Sequence, residues 1–264
     1  MRGLISLAGG LLILSGCNPE EPGSTSDTVV FDSTPYVLES GHFPTPTLPE
    51  DNPLTEAGVV LGQMLFHEKR LSGDNTMACA DCHRQHQNFS DASVLSIGIA
   101  GFEGSRHSMV LSNLAWHVHH NGTHGHGFLW DGRAATLRDQ VLLPIQDELE
   151  MATTLEDVIA KLGALPKYRD QFVRAFDTEE VSAEGMAKAL EQFLLTMVSN
   201  QSRYDRWLLG EGTLSTSEER GRILFFDEFD KLFEIIITQL PLGMQVYNTI
   251  VDPNTIEGVD IVQF

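Results

Sequence analysis

The chain has 264 residues, of which 42% are hydrophobic, and its 37 acidic against 17 basic residues give a formal net charge of −20 at pH 7. A charge of this sign and size argues against binding to nucleic acid and against electrostatic adhesion to anionic lipid surfaces. A cationic protein partner would be attracted, although solubility alone also accounts for an acidic surface.

The first 17 residues have the pattern of an export signal. One basic residue, Arg2, precedes an apolar run that is too short to cross a membrane. The segment 1–16 leads to Cys17 in the string Leu-Ser-Gly-Cys, which resembles the processing site of bacterial lipoproteins. We therefore expect an exported, periplasmic protein that is anchored to the membrane by a lipid on Cys17. An ordinary signal peptide followed by a chance cysteine is the alternative.

Residues 17–53 predict a tether and an extended lead-in, because they are rich in Pro, Glu, Ser and Thr and lack periodicity. The next stretch, 54–67, has apolar residues on one broad face and predicts the first helix of a folded domain, 54–212. A domain of about 160 residues is long enough to bury one globular core.

A Cys-x-x-Cys-His string at Cys79, Cys82 and His83 is the attachment signature of c-type haem. The two thiols are about one helical turn apart, so both can form thioethers with the vinyl groups of one porphyrin. The adjacent imidazole of His83 then supplies the proximal ligand of the haem iron. We expect a short helix here, capped near Thr76.

Two other chemistries use closely spaced cysteines. A zinc knuckle needs further Cys or His ligands at matching spacing, and the chain has only one more cysteine. A thioredoxin-like redox pair needs a βαβ context, which the hydrophobic pattern does not show. Haem attachment is therefore the prediction, and with a lipid on Cys17 it leaves no cysteine for a disulfide.

Residues 84–130 are rich in glycine and predict long loops. Five histidines crowd a ten-residue stretch of this segment: His117, His119, His120, His124 and His126. Three interpretations fit this cluster: a zinc or copper site, a solvated loop at the haem edge, and a source of the sixth ligand to the haem iron.

Helical periodicity returns after residue 133. The predicted helices are 134–146, 154–162, 168–176, 182–199 and 202–209. Since the sequence has no repeat and no strand-rich block, the predicted fold class is all-α, a cytochrome-c-like haem domain with long loops.

Between Pro53 and Gly212 the chain resembles the bacterial diheme cytochrome c peroxidases and the related methylamine-utilisation diheme enzymes. The resemblance rests on an ordered series of motifs: LGQMLF at 61–66, LS at 71–72, the haem string, FSD at 89–91, SIG at 96–98, WDGRAATL at 130–137, Gln140, Pro144-Ile145, Glu150-Met151 and Tyr204-Asp205-Arg206. In that family, this region corresponds to the N-terminal domain, whose haem reacts with peroxide.

The resemblance implies roles for five residues of this chain. His83 would be the proximal ligand of the peroxidatic haem, Glu150 the distal acid–base carboxylate, and Gln140 the amide beside it. Trp130 would lie between two haems, and Arg133 would be a structural or propionate-pairing cation. The residue types suit the reaction, because breaking a peroxide O–O bond requires a proton transfer and a donor that polarises the leaving oxygen.

Without the resemblance these residues have ordinary explanations. Glu150 belongs to an acidic stretch, 147–150, and would be a solvated carboxylate at a helix end. Gln140 alone is a common helix residue, and Trp130 alone is most often part of a core. The family pattern is what favours the functional assignment.

Two substitutions separate the chain from that pattern. Many members have a distal histidine directly after Ser-Ile-Gly, whereas this chain has Ile99, which cannot ligate iron, so we expect an open sixth position. A family asparagine that helps to hold calcium is replaced by His107. A neutral imidazole is a poor ligand for a hard cation, which argues against calcium.

The family's second Cys-x-x-Cys-His, in a C-terminal haem domain, has no counterpart in this sequence. The segment 213–264 begins like that domain over 217–226, but 227–264 contains neither Cys nor His. We interpret 213–264 as a stub of the second haem domain with an aberrant tail that arose by frameshift or truncation. A degenerate capping segment is the alternative.

Together these features predict one covalent haem c and the reduction of hydrogen peroxide to water, H2O2 + 2 e− + 2 H+ → 2 H2O. The electrons would come from a small donor protein, a cytochrome c or a cupredoxin, and the lipid anchor would be the only contact with the membrane. The alternative is a non-catalytic monohaem electron-transfer or haem-sensing module, or an inactive gene remnant.

Overall fold

The computed structural model describes residues 28–117 and 127–226. The α-helices of these ranges are α1 (Glu56–Phe66), α2 (Cys79–Cys82), α3 (Leu137–Gln146), α4 (Leu155–Gly163), α5 (Pro166–Phe176), α6 (Ala183–Leu195) and α7 (Arg203–Leu208). Residues 216–226 are helical as well. In the same ranges, β-structure is limited to isolated antiparallel bridges, so the predicted all-α, cytochrome-c-like class is confirmed.

Several predicted features lie outside the described residues. They are the export signal, Cys17, four members of the histidine cluster (His119, His120, His124 and His126) and the tail 227–264. Over the described part of the chain, we find no helix with the length and apolar character needed to span a membrane.

The helices predicted from periodicity are present, with bounds that differ by a few residues. The end of α6 is at Leu195 instead of 199, and α3 begins at Leu137 instead of 134. The late start of α3 is explained by its N-cap, because the Thr136 hydroxyl accepts the Asp139 N–H and the Asp139 carboxylate accepts the Thr136 N–H. The early start of α5 is at Pro166, whose fixed φ suits a first helical position.

The core is built around α1 and α6, which pack on each other, while α3 packs on α6 and α5 packs on α1. Leu61 and Leu65 of α1 and Ala189 and Leu190 of α6 are almost completely removed from solvent. Burial of each leucine side chain stabilises the fold by roughly 1.5–3 kcal/mol. Apolar packing of these two helices therefore supports the loops that carry the site.

A buried ion pair joins α3 to α6. Arg138 donates from Nε to Glu191 at 2.7 Å and from its two terminal nitrogens to Asp51 at 2.6 and 2.7 Å, and Asn52 donates to Glu191 at 2.7 Å. Glu191 is only 2% exposed, so its charge is tolerated because these donors replace water. The network fixes α3, which carries Gln140, against α6 and against Asp51 and Asn52 of the extended segment before α1.

A second buried carboxylate, Glu68, follows α1 and binds α5. It accepts hydrogen bonds from the Tyr168 hydroxyl at 2.6 Å and from the Arg70 guanidinium at 2.9 Å. Burial alone would raise the pKa of Glu68, but the hydrogen bonds from Tyr168 and Arg70 outweigh it and lower the pKa to about 2.

The lowered pKa of Glu68 predicts a loss of stability in acid. A carboxylate whose pKa is lower in the folded than in the unfolded state stabilises the fold above its unfolded pKa, and this contribution is lost as the pH falls from 4.5 toward about 2. We expect Glu68→Gln to lower the free energy of unfolding at pH 7 by about 2 kcal/mol. Urea unfolding of this variant should also depend less on pH below 4.5 than that of the wild type.

The matched control for this measurement is Glu179→Gln, which changes an exposed carboxylate and should follow the wild type at every pH. Identical pH dependence in the wild type and in Glu68→Gln would show that Glu68 is not the group responsible.

Candidate haem site

The residues predicted to bind and serve a haem line one cavity of about 1120 Å³. The set consists of Cys79, Cys82, His83, Trp130, Arg133, Gln140 and Glu150. Apolar side chains, among them Phe66, Leu111 and Phe128, form much of the remaining wall. A large, mostly apolar cavity with a few convergent polar groups is the usual form of a cofactor site.

The haem string itself forms α2, whose first and last residues are Cys79 and Cys82. The N-cap is Ala78, whose N–H donates to the Asp81 carboxylate at 2.8 Å. The prediction of a cap near Thr76 was therefore wrong by two residues. The Thr76 side chain instead donates to Asp74 at 2.7 Å, within the turn that precedes the helix.

Both thiols of the string are neutral at physiological pH. Burial raises the pKa of Cys79 to about 12 and that of Cys82 to about 11. Disulfide exchange needs a thiolate, so this environment disfavours a thioredoxin-like redox pair. Within residues 28–117 and 127–226, no group of three or more His, Cys, Asp or Glu side chains is placed to hold a metal ion.

His83 follows α2, and its ring is oriented by a backbone acceptor. Nδ1 lies 2.9 Å from the carbonyl oxygen of Phe89. Because a carbonyl can only accept, Nδ1 carries the proton, and the lone pair on Nε2 is the one that is suited to iron. Burial lowers the pKa of His83, which keeps the imidazole in the neutral form that a metal ligand requires.

The turn that presents the Phe89 carbonyl contains two successive residues in the left-handed region, Asn88 (φ 58°) and Phe89 (φ 56°). The Ser112 hydroxyl donates to the Asn88 side chain at 2.6 Å and holds the turn in place. Left-handed backbone at a phenylalanine costs on the order of 1–2 kcal/mol. The surrounding structure maintains this strain at the point where the ring of His83 is oriented.

One face of α3 lines the cavity. Its members, Leu137, Gln140, Val141 and Pro144, recur at i, i+3, i+4 and i+7, the spacing of a single helical stripe. Gln140 is half-buried and is the only one of the four with a hydrogen-bonding side chain. Gln140 therefore lies on the wall of the same cavity that the string of Cys79 and Cys82 borders.

Beyond α3 the chain folds back along the end of the helix and brings Glu150 to the cavity. Burial raises the pKa of Glu150, the nearby Asp147 raises it further, and Arg133 opposes them. Glu148, two residues earlier, is exposed. The solvated helix-end environment considered for this acidic stretch therefore describes Glu148, whereas Glu150 is half-buried and its pKa is raised.

The loop that carries Glu150 is held by a close backbone contact with Gly98. A Cβ at Gly98 would lie 2.0 Å from the carbonyl oxygen of Leu149, so only glycine fits at this approach. The next N–H, that of Ile99, donates to the Glu150 carbonyl at 2.9 Å. Ile99 thus packs against the loop through its backbone, and the expectation of an open sixth iron position stays a prediction.

Trp130 lies at the tip of a tight turn, where Gly132 N–H donates to the Leu129 carbonyl at 3.0 Å. The indole lines the cavity and yet is 55% exposed, so the ordinary explanation of a core tryptophan is wrong. Its Nε1–H donates to the carbonyl oxygen of His107 at 2.8 Å. Leu129, directly before it, has a left-handed φ of 71°.

Two arginines stand beside this turn and line the cavity, Arg133 and Arg106. Arg133 donates to both carboxylate oxygens of Asp131, at 3.0 and 2.8 Å, and Arg106 lies 3.8 Å from the same carboxylate. Guanidinium groups at a cavity wall are suited to anionic groups such as haem propionates. Arg106 was not predicted, although it stands next to His107, where the sequence departs from the family pattern.

Two histidines also belong to the site. His117, the described member of the histidine cluster, lines the cavity with its ring stacked on Phe128 at 4.7 Å between centroids. His107 has Nε2 at 2.8 Å from the Ser90 hydroxyl and Nδ1 at 2.8 Å from the Ser93 carbonyl. Both ring nitrogens of His107 are thus used within the fold, and the absence of calcium stays a prediction.

Comparison with known proteins gives matches in both sequence and structure. Residues 56–213 match the family described as di-haem cytochrome c peroxidase. The chain is 36% identical over 181 residues to the methylamine utilization protein MauG of Methylophilus methylotrophus, a match that covers 68% of this chain and 52% of that protein. It is 33% identical over 186 residues to the cytochrome c peroxidase Ccp of Escherichia coli (strain K12), covering 70% and 38%.

Among solved structures, a MauG-like protein associated with microbial copper homeostasis superposes with a TM-score of 0.63 at 33% identity, covering 72% of this chain and 54% of that one. The chain thus spans about half the length, or less, of these relatives. The matched region includes every residue that lines the cavity. The protein therefore belongs to the di-haem cytochrome c peroxidase family, whose cofactor is c-type haem.

Proposed function

We propose that this domain binds one haem c through Cys79 and Cys82, with His83 as the proximal ligand, and reduces hydrogen peroxide to water. One observation carries the proposal: the two thiols, the imidazole of His83 with its Nδ1 bonded to the Phe89 carbonyl, and a carboxyl group of raised pKa, Glu150, border one cavity. Haem c, when bound, supplies a redox-active iron for the reaction H2O2 + 2 e− + 2 H+ → 2 H2O.

In this proposal, Glu150 moves the proton and Gln140 steadies the leaving oxygen. The raised pKa of Glu150 keeps a proton available closer to neutral pH than that of an ordinary glutamate, which is the property a general acid–base group needs. The Gln140 amide can donate a hydrogen bond toward the oxygen that leaves as water. The apolar neighbours of Gln140 on α3, Val141 and Pro144, limit competing water.

The electrons, we propose, come from a small donor protein, a cytochrome c or a cupredoxin. The formal charge of −20 favours a donor with a cationic face and a rate of association that falls with salt. Trp130, which is 55% exposed and also lines the cavity, gives an aromatic side chain between the surface and the cofactor.

A second candidate function is non-catalytic electron transfer or haem sensing by a monohaem protein. The observation that favours it is the exposure of Trp130, which lines the cavity, is 55% exposed, and suits electron exchange at the surface without proton chemistry. The two candidates differ in whether the proton chemistry of Glu150 affects the reaction with peroxide.

Replacement of Glu150 separates these functions. We expect Glu150→Gln to slow the reaction of the ferric protein with peroxide by about two to four orders of magnitude, the usual contribution of an acid–base group. The measurement is stopped-flow Soret absorbance on samples matched for covalent haem by the pyridine haemochrome assay.

The control is Glu148→Gln, which changes an exposed carboxylate of the same loop that does not line the cavity and should react at the wild-type rate. An unchanged rate in Glu150→Gln, with its haem content intact, would remove the acid–base assignment and favour electron transfer.

The contact at Gly98 predicts a second way to displace Glu150. In Gly98→Ala a methyl group would lie 2.0 Å from a backbone oxygen, so the Glu150 loop must move. We expect the rate with peroxide to fall about a hundredfold and the free energy of unfolding to fall by about 1–3 kcal/mol. The control is Gly163→Ala, where an added Cβ meets nothing within 4 Å. This change should lower neither the rate with peroxide nor the free energy of unfolding. A wild-type rate in Gly98→Ala would show that the position of this loop does not limit the reaction.

We also propose that the protein is exported to the periplasm and held at the membrane by a lipid on Cys17. The apolar segment 1–16 and the string that ends at Cys17 support this from the sequence. In Cys17→Ala the protein should move from the membrane fraction to the soluble periplasmic fraction, whereas Ser15→Ala should stay with the membrane. Unchanged fractionation of Cys17→Ala would exclude the anchor and leave the haem assignment intact.

A further inference from the structure

His107 lies at the junction of two turns that border the haem cavity. One of them is the proximal turn, residues 84–89, which presents the Phe89 carbonyl to His83. The His107 ring contacts the segment after this turn, with Nε2 at 2.8 Å from the Ser90 hydroxyl and Nδ1 at 2.8 Å from the Ser93 carbonyl. Its backbone carbonyl accepts the indole N–H of Trp130 at 2.8 Å. One residue therefore contacts both turns, by its side chain and by its main chain.

The contact between His107 and Ser90 also affects the proximal ligand, His83, through the residue next to Ser90. Ser90 directly follows Phe89, whose carbonyl accepts the Nδ1–H of His83 at 2.9 Å. Ser90 is 7% exposed, and its hydroxyl also lies 2.9 Å from the Ser108 carbonyl. A displacement of Ser90 would therefore move the acceptor that orients the iron ligand.

The contact with Trp130 matters because packing alone does not hold this side chain. With 55% of Trp130 exposed, the hydrogen bond to the His107 carbonyl is the polar contact that fixes its ring. Charged groups reinforce the same junction, since Arg106, next to His107, lies 3.8 Å from Asp131, next to Trp130. The turn is thus joined to the 106–107 segment at two neighbouring residues.

We propose that His107 is a positioning residue that sets the hydrogen bond on the proximal ligand and the orientation of Trp130 together. The inference rests on haem attachment at His83, as proposed above, and does not depend on peroxide reduction. When the bond from Nδ1–H to a carbonyl weakens, imidazole becomes a poorer electron donor to iron. Loss of the His107 ring should therefore raise the reduction potential of the haem and lower the iron–histidine stretching frequency.

The test compares His107→Leu, which removes both ring contacts, with His107→Gln, whose terminal amide can still reach the Ser90 hydroxyl. In the haem-loaded protein, we expect His107→Leu to raise the reduction potential and to lower the iron–histidine frequency in the resonance Raman spectrum. His107→Gln should stay close to the wild type in both. The control His86→Gln changes an exposed histidine in the proximal turn and should match the wild type.

The orientation of Trp130 is measured in the same variants. Its emission, taken as the difference from Trp130→Phe in the same background, should increase in His107→Leu, because the main-chain carbonyl of residue 107 shifts once the ring contacts with Ser90 and Ser93 are lost and no longer holds the indole beside the haem. If His107→Leu does not fold, Ser90→Ala removes the hydroxyl contact alone and should give the same direction of change in potential and frequency.

Wild-type potential, frequency and emission in a folded His107→Leu, or wild-type potential and frequency in Ser90→Ala, would overturn the inference. Absence of covalent haem from the wild-type protein would overturn the proposed function and this inference together. A haem-loaded protein that is inert toward peroxide, but shows the expected shifts in His107→Leu, would uphold the inference and exclude the peroxidase function alone.

Discussion

The hydrogen bond from His83 Nδ1 to the Phe89 carbonyl is the interaction on which the rest of the site depends. It selects the tautomer with the proton on Nδ1 and fixes the plane of the ring, so the lone pair is on Nε2. To form it, the chain must close a turn through two left-handed residues, Asn88 and Phe89. Burial of the ring then keeps it neutral, so position and protonation state come from the same local packing.

Similar strain occurs close to three residues to which the proposal gives a role, His83, Trp130 and Glu150. Apart from asparagine and aspartate, the described non-glycine residues with positive φ are Phe89, Leu129 and Ala152. The carbonyl of Phe89 accepts the hydrogen bond from His83. Leu129 directly precedes Trp130, and Ala152 is two residues after Glu150. Strained backbone persists where neighbouring contacts hold it, and the Arg138 network between α3 and α6 is one such rigid support for the cavity wall. The core thus stabilises loops that would not adopt these conformations alone.

Local patterns in the sequence were sufficient for the haem string, for the helices and for the all-α class, because each depends on residues close together in the chain. They were not sufficient for Trp130, since an apolar side chain does not reveal whether a core or a cavity edge will contact it. The cap at Ala78 was missed because its acceptor, Asp81, lies inside the haem string. The role of His107 could not be predicted either, because its contacts with Ser90 and Trp130 join separate loops.

Covalent haem stoichiometry tests the central claim most directly, because every role assigned to the cavity requires a cofactor attached at α2. The measurement is the pyridine haemochrome assay on correctly exported protein, combined with mass spectrometry of the peptide that contains Cys79 and Cys82. We expect one haem per chain, bound to that peptide through both sulfurs and lost when both cysteines are changed to serine. A protein with no haem, with two haems, or with unmodified thiols on this peptide would contradict the assignment.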